Sequence, residues 1–247
     1  MPELKRIKNI DGLTFLHKKI VTFAKLRLPT IMKLVNFAEK PSLMSRYLLE
    51  MRDVNIQRDP LRFRRNLERC GEIMAYEISR TLQYETVEVE TPLAKAQCQT
   101  PADKIVLGTI FRAGLPFHQG FLSYFDRAEN AFVSAYRKYK EKENFDILIE
   151  YLASPLLDGK TLILCDPMLA TGASMELSYR ALLTKGLPAK THLCSVIASR
   201  QAVDYLQSKM PDDSTLWVGV IDDEINAHSY IVPGLGDAGD LAFGEKE

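Results

Sequence analysis

Thr161-Leu-Ile-Leu-Cys165 is an unbroken apolar run that ends on the carboxylate of Asp166, and the residues after it, Pro167 to Ser174, are small and rich in hydroxyls. A run of that length with no polar alternation fits a strand covered on both faces, which occurs mainly in parallel sheets flanked by helices. Met175 to Lys185 has helical spacing. The turn therefore delivers its N–H groups, with the hydroxyls of Thr171 and Ser174, to a helix N-terminus. Such an end carries roughly half a positive charge and leaves its first N–H groups without partners. A phosphate answers both needs. Gly172 lets the backbone approach a ligand closely, and Asp166 can accept from sugar hydroxyls. An ordinary strand-turn-helix junction also has small residues and a capping Ser or Thr, so the stretch by itself leaves both readings open.

The same alternation continues on either side. Apolar runs near Lys104 to Phe111, Ala131 to Tyr136, Asp146 to Tyr151, Thr161 to Cys165, Thr191 to Ala198 and Thr215 to Ile221 predict strands. Phe117 to Phe125, Met175 to Lys185 with Gly186 as its stop, and Arg200 to Lys209 capped by Ser199 predict helices. Strands alternating with helices imply an α/β fold with a doubly wound, mostly parallel sheet, whose ligands gather beyond the strands' carboxyl ends. Ahead of this, Asp59-Pro60 begins a helix with one buried face, marked by Phe63, Leu67, Cys70, Met74, Ile78 and Leu82. Thr86 to Thr91 alternates as a half-exposed strand, too polar for the sheet centre. Residues 1–44 mix basic and apolar residues around Pro29 and Pro41 and are read as an N-terminal helical arm or extension to a domain spanning 45–247. Met32 is a second plausible start.

Composition narrows the partners. Across 247 residues, Lys plus Arg and Asp plus Glu both total 32. The balance gives no global field for nucleic acid or an anionic membrane, and the basic excess near the N-terminus reads as a solvated arm. Cys70, Cys98, Cys165 and Cys194 are too scattered for a zinc framework or a disulfide set, and His17, His118, His192 and His228 lack metal-ligand spacing. No stretch has the length of a membrane span or the pattern of a signal peptide, so a cytoplasmic protein is expected.

Two further segments carry chemistry beside the Asp166 turn. Arg112-Ala-Gly-Leu115 follows a predicted strand and could hold a diphosphate, although an Arg there is usually just a surface charge. Near the C-terminus, Tyr230-Ile-Val-Pro-Gly-Leu-Gly-Asp-Ala-Gly-Asp240 contains Gly234, Gly236 and Gly239 in the spelling of a dinucleotide fingerprint. Too few residues follow for the helix, strand and acid that fingerprint needs, so the spelling is a coincidence. The glycines and proline suggest instead an irregular backbone whose N–H and C=O groups face a cavity. His118 reads as a capping or core histidine and His228 as loop scaffold.

In combination these strings resemble the uracil phosphoribosyltransferases. Asp166-Pro-Met-Leu-Ala-Thr-Gly-Ala-Ser174 is similar to that family's loop for phosphoribosyl diphosphate (PRPP), in which Pro167 stands where most type I phosphoribosyltransferases have a second acid. Arg112-Ala-Gly-Leu115, Tyr136-Arg137 and the Tyr230 to Asp240 run follow the family order, and the likeness spans about Ser42 to Phe243. It implies the type I phosphoribosyltransferase fold with a small accessory hood. It also implies the activity uracil plus PRPP to UMP and diphosphate, in pyrimidine salvage. Arg112, Arg137, Asp166 and Asp237 would be the catalytic set. PRPP would bind Arg112, Arg137, Asp166, Pro167, Met168, Leu169, Ala170, Thr171, Gly172, Ala173, Ser174 and Asp237, and uracil would bind Tyr230, Ile231, Gly236, Asp237 and Ala238. Magnesium would arrive on the diphosphate without a protein cage, and the protein would be a homo-oligomer. Pro116 to Gln119 and Lys138 to Phe145 depart from the family pattern. That departure keeps open a catalytically silent UMP or PRPP sensor, and an enzyme for another nucleobase is the remaining alternative.

Overall fold

A computed structural model describes residues 32–139 and 145–246, with 135–139 and 145–149 described by backbone alone. The chain runs β1 (Lys33–Asn36), α1 (Leu43–Arg52), α2 (Pro60–Ser79), β2 (Tyr84–Glu90), β3 (Lys95–Pro101), β4 (Ile105–Phe111), α3 (Gly114–Leu122), β5 (Glu129–Tyr139) and β6 (Phe145–Ala153). It continues through β7 (Thr161–Cys165), β8 (Met168–Leu169), α4 (Ala173–Leu182), β9 (Lys190–Ser199), α5 (Arg200–Lys209), β10 (Thr215–Asp222), β11 (Glu224–Ile225), β12 (Ile231–Val232) and α6 (Ala238–Phe243).

The main sheet has the order β1-β10-β9-β7-β4-β5-β6, with β8 added beside β9. Every pairing in it is parallel except β5 with β6, which meet as an antiparallel edge. Apolar layers cover both faces. Along β7, Ile163 joins Phe63, Leu67, Met74, Phe117 and Phe121 under α2 and α3. Leu162 and Leu164 join Met175, Leu182, Val203 and Leu206 under α4 and α5. Each such buried side chain contributes about 1.5–3 kcal/mol through removal from water, and this two-sided burial is why the strands carry no polar alternation.

Helix starts follow the sequence signals. Asp59 accepts from Leu61 and Arg62 N–H with Pro60 in the first turn, and Ser199 Oγ accepts from Ala202 N–H at 2.9 Å. The predicted buried face of α2 is present, with Phe63, Leu67, Cys70, Met74 and Ile78 at or below 1 % exposure.

Several elements differ from expectation. β2 pairs with β3 in a separate two-stranded ribbon, and most of its residues are exposed on both faces rather than one. β3 is too polar to show a strand period. β1 is an edge strand of the main sheet, and Met32 and Met44 are buried, so the described part of residues 1–44 packs with the domain. Residues 1–31 of the expected N-terminal arm, the part that would precede the alternative start at Met32, lie outside the described residues. α1 packs on α2 and β10, and α6 packs on α2.

Candidate active site

The turn after β7 is held by its own neighbours. Asp166 N–H donates to Cys194 O on β9, Pro167 O accepts from Val196 and Ile197 N–H, and Ser199 Oγ donates to Ala170 O at 2.6 Å. Asp166 Oδ1 accepts from Met168 N–H at 3.2 Å, which turns the chain just past the strand and leaves the half-buried carboxylate at the sheet's carboxyl edge. Gly172 has φ +79°, and a Cβ there would come within 3.1 Å of the Tyr205 ring. The left-handed backbone favours glycine, and any Cβ would press on the ring as well. α4 then starts with no side-chain cap on Gly172. Ala173 N–H donates to Thr171 Oγ1 at 3.4 Å, and this helix N-terminus with the half-buried Thr171 and Ser174 hydroxyls beside it has the makings of an anion site.

The loop after β4 abuts this turn. A Cβ on Gly114 would meet Thr109 Oγ1 at 2.3 Å and Cys165 O at 3.3 Å, so only glycine lets α3 start against the end of β7. Arg112 reaches across to the C-terminal segment: Nη2 pairs with Asp240 Oδ1 at 2.7 Å, and Nη1 donates to Gly244 O at 3.2 Å. Arg137 lies on β5 opposite Ile147 by backbone register; its side chain falls outside the described residues, as do residues 140–144 of the charged loop.

The C-terminal segment is more ordered than an irregular loop. Ile231 is buried on β12, which pairs with β11, while Tyr230 is exposed beside it. Asp237 is the N-cap of α6, its Oδ1 accepting from Gly239 and Asp240 N–H at 2.8 and 3.1 Å. Among the described residues, Oδ2 of Asp237 and the N–H groups of Leu235 and Gly236 have no hydrogen-bond partner. Ala238, Ile231 and Leu235 share one apolar cluster with Met168 and Ala170 of the Asp166 turn. Arg112, the Asp166 turn and the Tyr230 to Asp240 run are thereby gathered at one end of the sheet. Ionic and polar groups face apolar backing there, where charge interactions are strongest.

A uracil phosphoribosyltransferase family model matches residues 39–245. The chain belongs to the uracil phosphoribosyltransferase family. A uracil phosphoribosyltransferase of Porphyromonas gingivalis is 62% identical over 215 residues, covering 87% of this chain and 100% of that protein. One of Methanothermobacter thermautotrophicus is 44% identical over 188 residues, covering 75% of this chain and 85% of that protein. The solved structure of the AQ2163 protein from Aquifex aeolicus superposes with a TM-score of 0.76 at 28% identity, covering 85% of this chain and 98% of that one.

Some residues around the family's site escaped the sequence reading. Asp240 holds Arg112, and Asp222, Arg52 and Gln57 hold the backbone before Gly236. Asp222 did carry a signal, an apolar run ending on a carboxylate as at Asp166. Arg52 and Gln57 had none, because their role depends on where α1 ends relative to a segment far along the chain. His118, by contrast, is buried on α3 against the Phe132 ring at 5.7 Å, and burial lowers its pKa. No bond links it to the gathered loops among the described residues.

Proposed function

We propose that this chain transfers the phosphoribosyl group of PRPP to uracil, forming UMP and diphosphate in pyrimidine salvage. The observation that carries the proposal is the convergence of a helix N-terminus and a carboxylate with a glycine-rich backbone segment, the two sharing one apolar cluster and Arg112 gripping the latter through Asp240. Residues Ala170 to Ser174 would grip the 5′-phosphate, Asp166 the ribose hydroxyls, and Pro167 to Leu169 would shape the turn. Arg112 and Arg137 would offset charge on the departing diphosphate, with Asp237 on the PRPP side. Asp240 would keep its hold on Arg112 Nη2 while the guanidinium faces the diphosphate.

Uracil would meet Tyr230, Ile231, Gly236 and Ala238. Uracil offers acceptor, donor and acceptor along one edge, a pattern that fixed main-chain groups can match without ionising. Cytosine places a donor where uracil accepts, leaving two donors opposed at about 1–3 kcal/mol. In the reaction the bond from C1′ to the diphosphate oxygen breaks as the bond from N1 to C1′ forms, and the N1 proton is released; no side chain is assigned as its base. Rate enhancement would come from positioning and from charge held ready for the leaving group.

PRPP would be taken as its magnesium complex, the metal carried on the diphosphate rather than in a protein cage. A cytoplasmic homo-oligomer completes the proposal, supported by the unpaired cysteines and by the exposed β2–β3 ribbon, which offers both faces to a second copy. The test is incubation of PRPP and magnesium with uracil, cytosine, hypoxanthine or guanine, scored for nucleotide and diphosphate. UMP alone is expected. Nucleotide from another base, or UMP binding without turnover, would contradict the proposal.

A further inference from the structure

Asp222 closes β10, where the chain leaves the sheet for the β11–β12 ribbon, and it is 7% exposed. Its two oxygens serve different partners. Oδ2 accepts from Gly234 N–H at 2.9 Å, and Oδ1 pairs with Arg52 Nη2 at 2.8 Å, at the end of α1. Gly234 has φ +60°, and a Cβ there would sit 2.0 Å from Ile231 O, so the backbone doubles back tightly at the point the carboxylate grips. Just beyond α1, the Gln57 amide lies within 2.8 Å of Met51 O, 3.2 Å of Arg52 O and 3.3 Å of Leu235 O. One carboxylate and one amide therefore fix the residues on either side of the Gly234–Leu235 peptide, and both are anchored at the end of α1.

The consequence is a sorting of main-chain groups. Asp222 occupies Gly234 N–H, whereas among the described residues the N–H groups of Leu235 and Gly236 donate to nothing. Were Asp222 absent, Gly234 N–H would be a third free donor, and the turn that aims the other two would lose its anchor. We propose that Asp222, with Arg52 and Gln57, is a positioning brace that sets the main-chain pattern reading the nucleobase, and so tunes selection of uracil without touching it. The proposal rests on the uracil reading given above and adds which residues hold its recognition surface in register.

Steady-state kinetics with uracil and PRPP varied separately test it, alongside melting followed by the fluorescence of Trp217. Asp222→Ala should raise the uracil KM roughly ten- to a hundredfold, the range for losing a buried hydrogen bond to a charged group, with the PRPP KM unchanged. Asp222→Asn keeps an oxygen for Gly234 N–H and should recover part of the loss. Gln57→Leu should raise the uracil KM by a smaller factor, and all three should narrow the preference for uracil over cytosine. A uracil KM equal to wild type in Asp222→Ala would overturn the brace, as would a parallel rise in both KM values, which marks general loosening. If Asp222→Ala fails to fold, Asp222→Asn and Gln57→Leu decide, and an unchanged uracil KM in both overturns it. Wild type that makes no UMP would sink the underlying function; active wild type with unaffected brace variants would sink only the brace.

Discussion

The Asp166 turn and the Tyr230 to Asp240 segment meet at one site but are built in opposite ways. The turn is held by its immediate surroundings: β7 before it, α4 after it, and the neighbouring strand β9 through Cys194, Val196, Ile197 and Ser199. The C-terminal segment is held from afar. Arg112, Arg52, Gln57, Asp222 and the Arg64 guanidinium, which donates to Ala242 O at 2.6 Å, come from four separated stretches of chain. A phosphate site can be made from one strand-turn-helix unit because helix geometry supplies the donors. The glycine-rich backbone has no such local template, so its shape is imposed by side chains reaching over from the end of α1, from α2, from the loop after β4 and from the end of β10.

Arg112 is the joint between the C-terminal segment, which it grips, and the loop after β4 that abuts the Asp166 turn, and its loss should have the largest effect. Arg112→Ala is expected to lower kcat/KM roughly 10²–10³-fold, about 3–4 kcal/mol, in the range for removing one preorganised charge-stabilising donor. Both substrates should be affected. An Arg112→Ala enzyme impaired for only one substrate would break the idea of a joint.

Acid should strain both regions together, because His192 lies in β9, the strand that supports the turn and pairs with β10. His192 Nδ1 accepts from Trp217 Nε1 at 3.1 Å, and burial first, then the Lys190 charge, lowers its pKa from 6.5 to about 4. The unfolded chain therefore takes up this proton before the folded one does. Its contribution to stability is complete above pH 6.5 and is lost as pH falls towards about 4, to a total of about 3 kcal/mol. Melting curves between pH 7 and 4, followed by Trp217, the only tryptophan, should fall more steeply for wild type than for His192→Gln. Equal slopes would remove His192 from the account.

Gly172→Val separates the regions. A β-branched residue at φ +79° that also crowds Tyr205 should cost about 1–2 kcal/mol locally and raise the PRPP KM roughly tenfold, with the uracil KM little changed. The smallest effect belongs to the other side. Asp240→Asn weakens a pair whose side chains are 33% and 34% exposed, so less than about 1 kcal/mol is expected, seen as a modest rise in the uracil KM alone. If Gly172→Val and Asp240→Asn shift the same substrate, the division between the regions is wrong.

This contrast also governs how much was legible in the sequence. The doubly wound sheet and the turn after Asp166 follow from runs and spacings a few residues long, and strands such as Thr161 to Cys165 reveal themselves by having no polar face. The C-terminal motif was visible as a string, but α6 was not, because six residues with Gly239 among them show no helical period and its stability comes from the Asp237 cap and from packing on α2. β3 was missed because its polar residues pair only with β2 in an exposed ribbon. Arg52 and Gln57 lie about 180 residues from Leu235, as the separation of 178 between Gln57 and Leu235 shows, and no local pattern connects such positions.

A crystal structure with UMP bound tests the central claim most directly. The account expects the 5′-phosphate on the N-terminus of α4 between Ala170 and Ser174, and the uracil edge on the main chain of Ile231, Gly236 and Ala238. A nucleotide whose phosphate sits at α4 while its base points away from that backbone would contradict it.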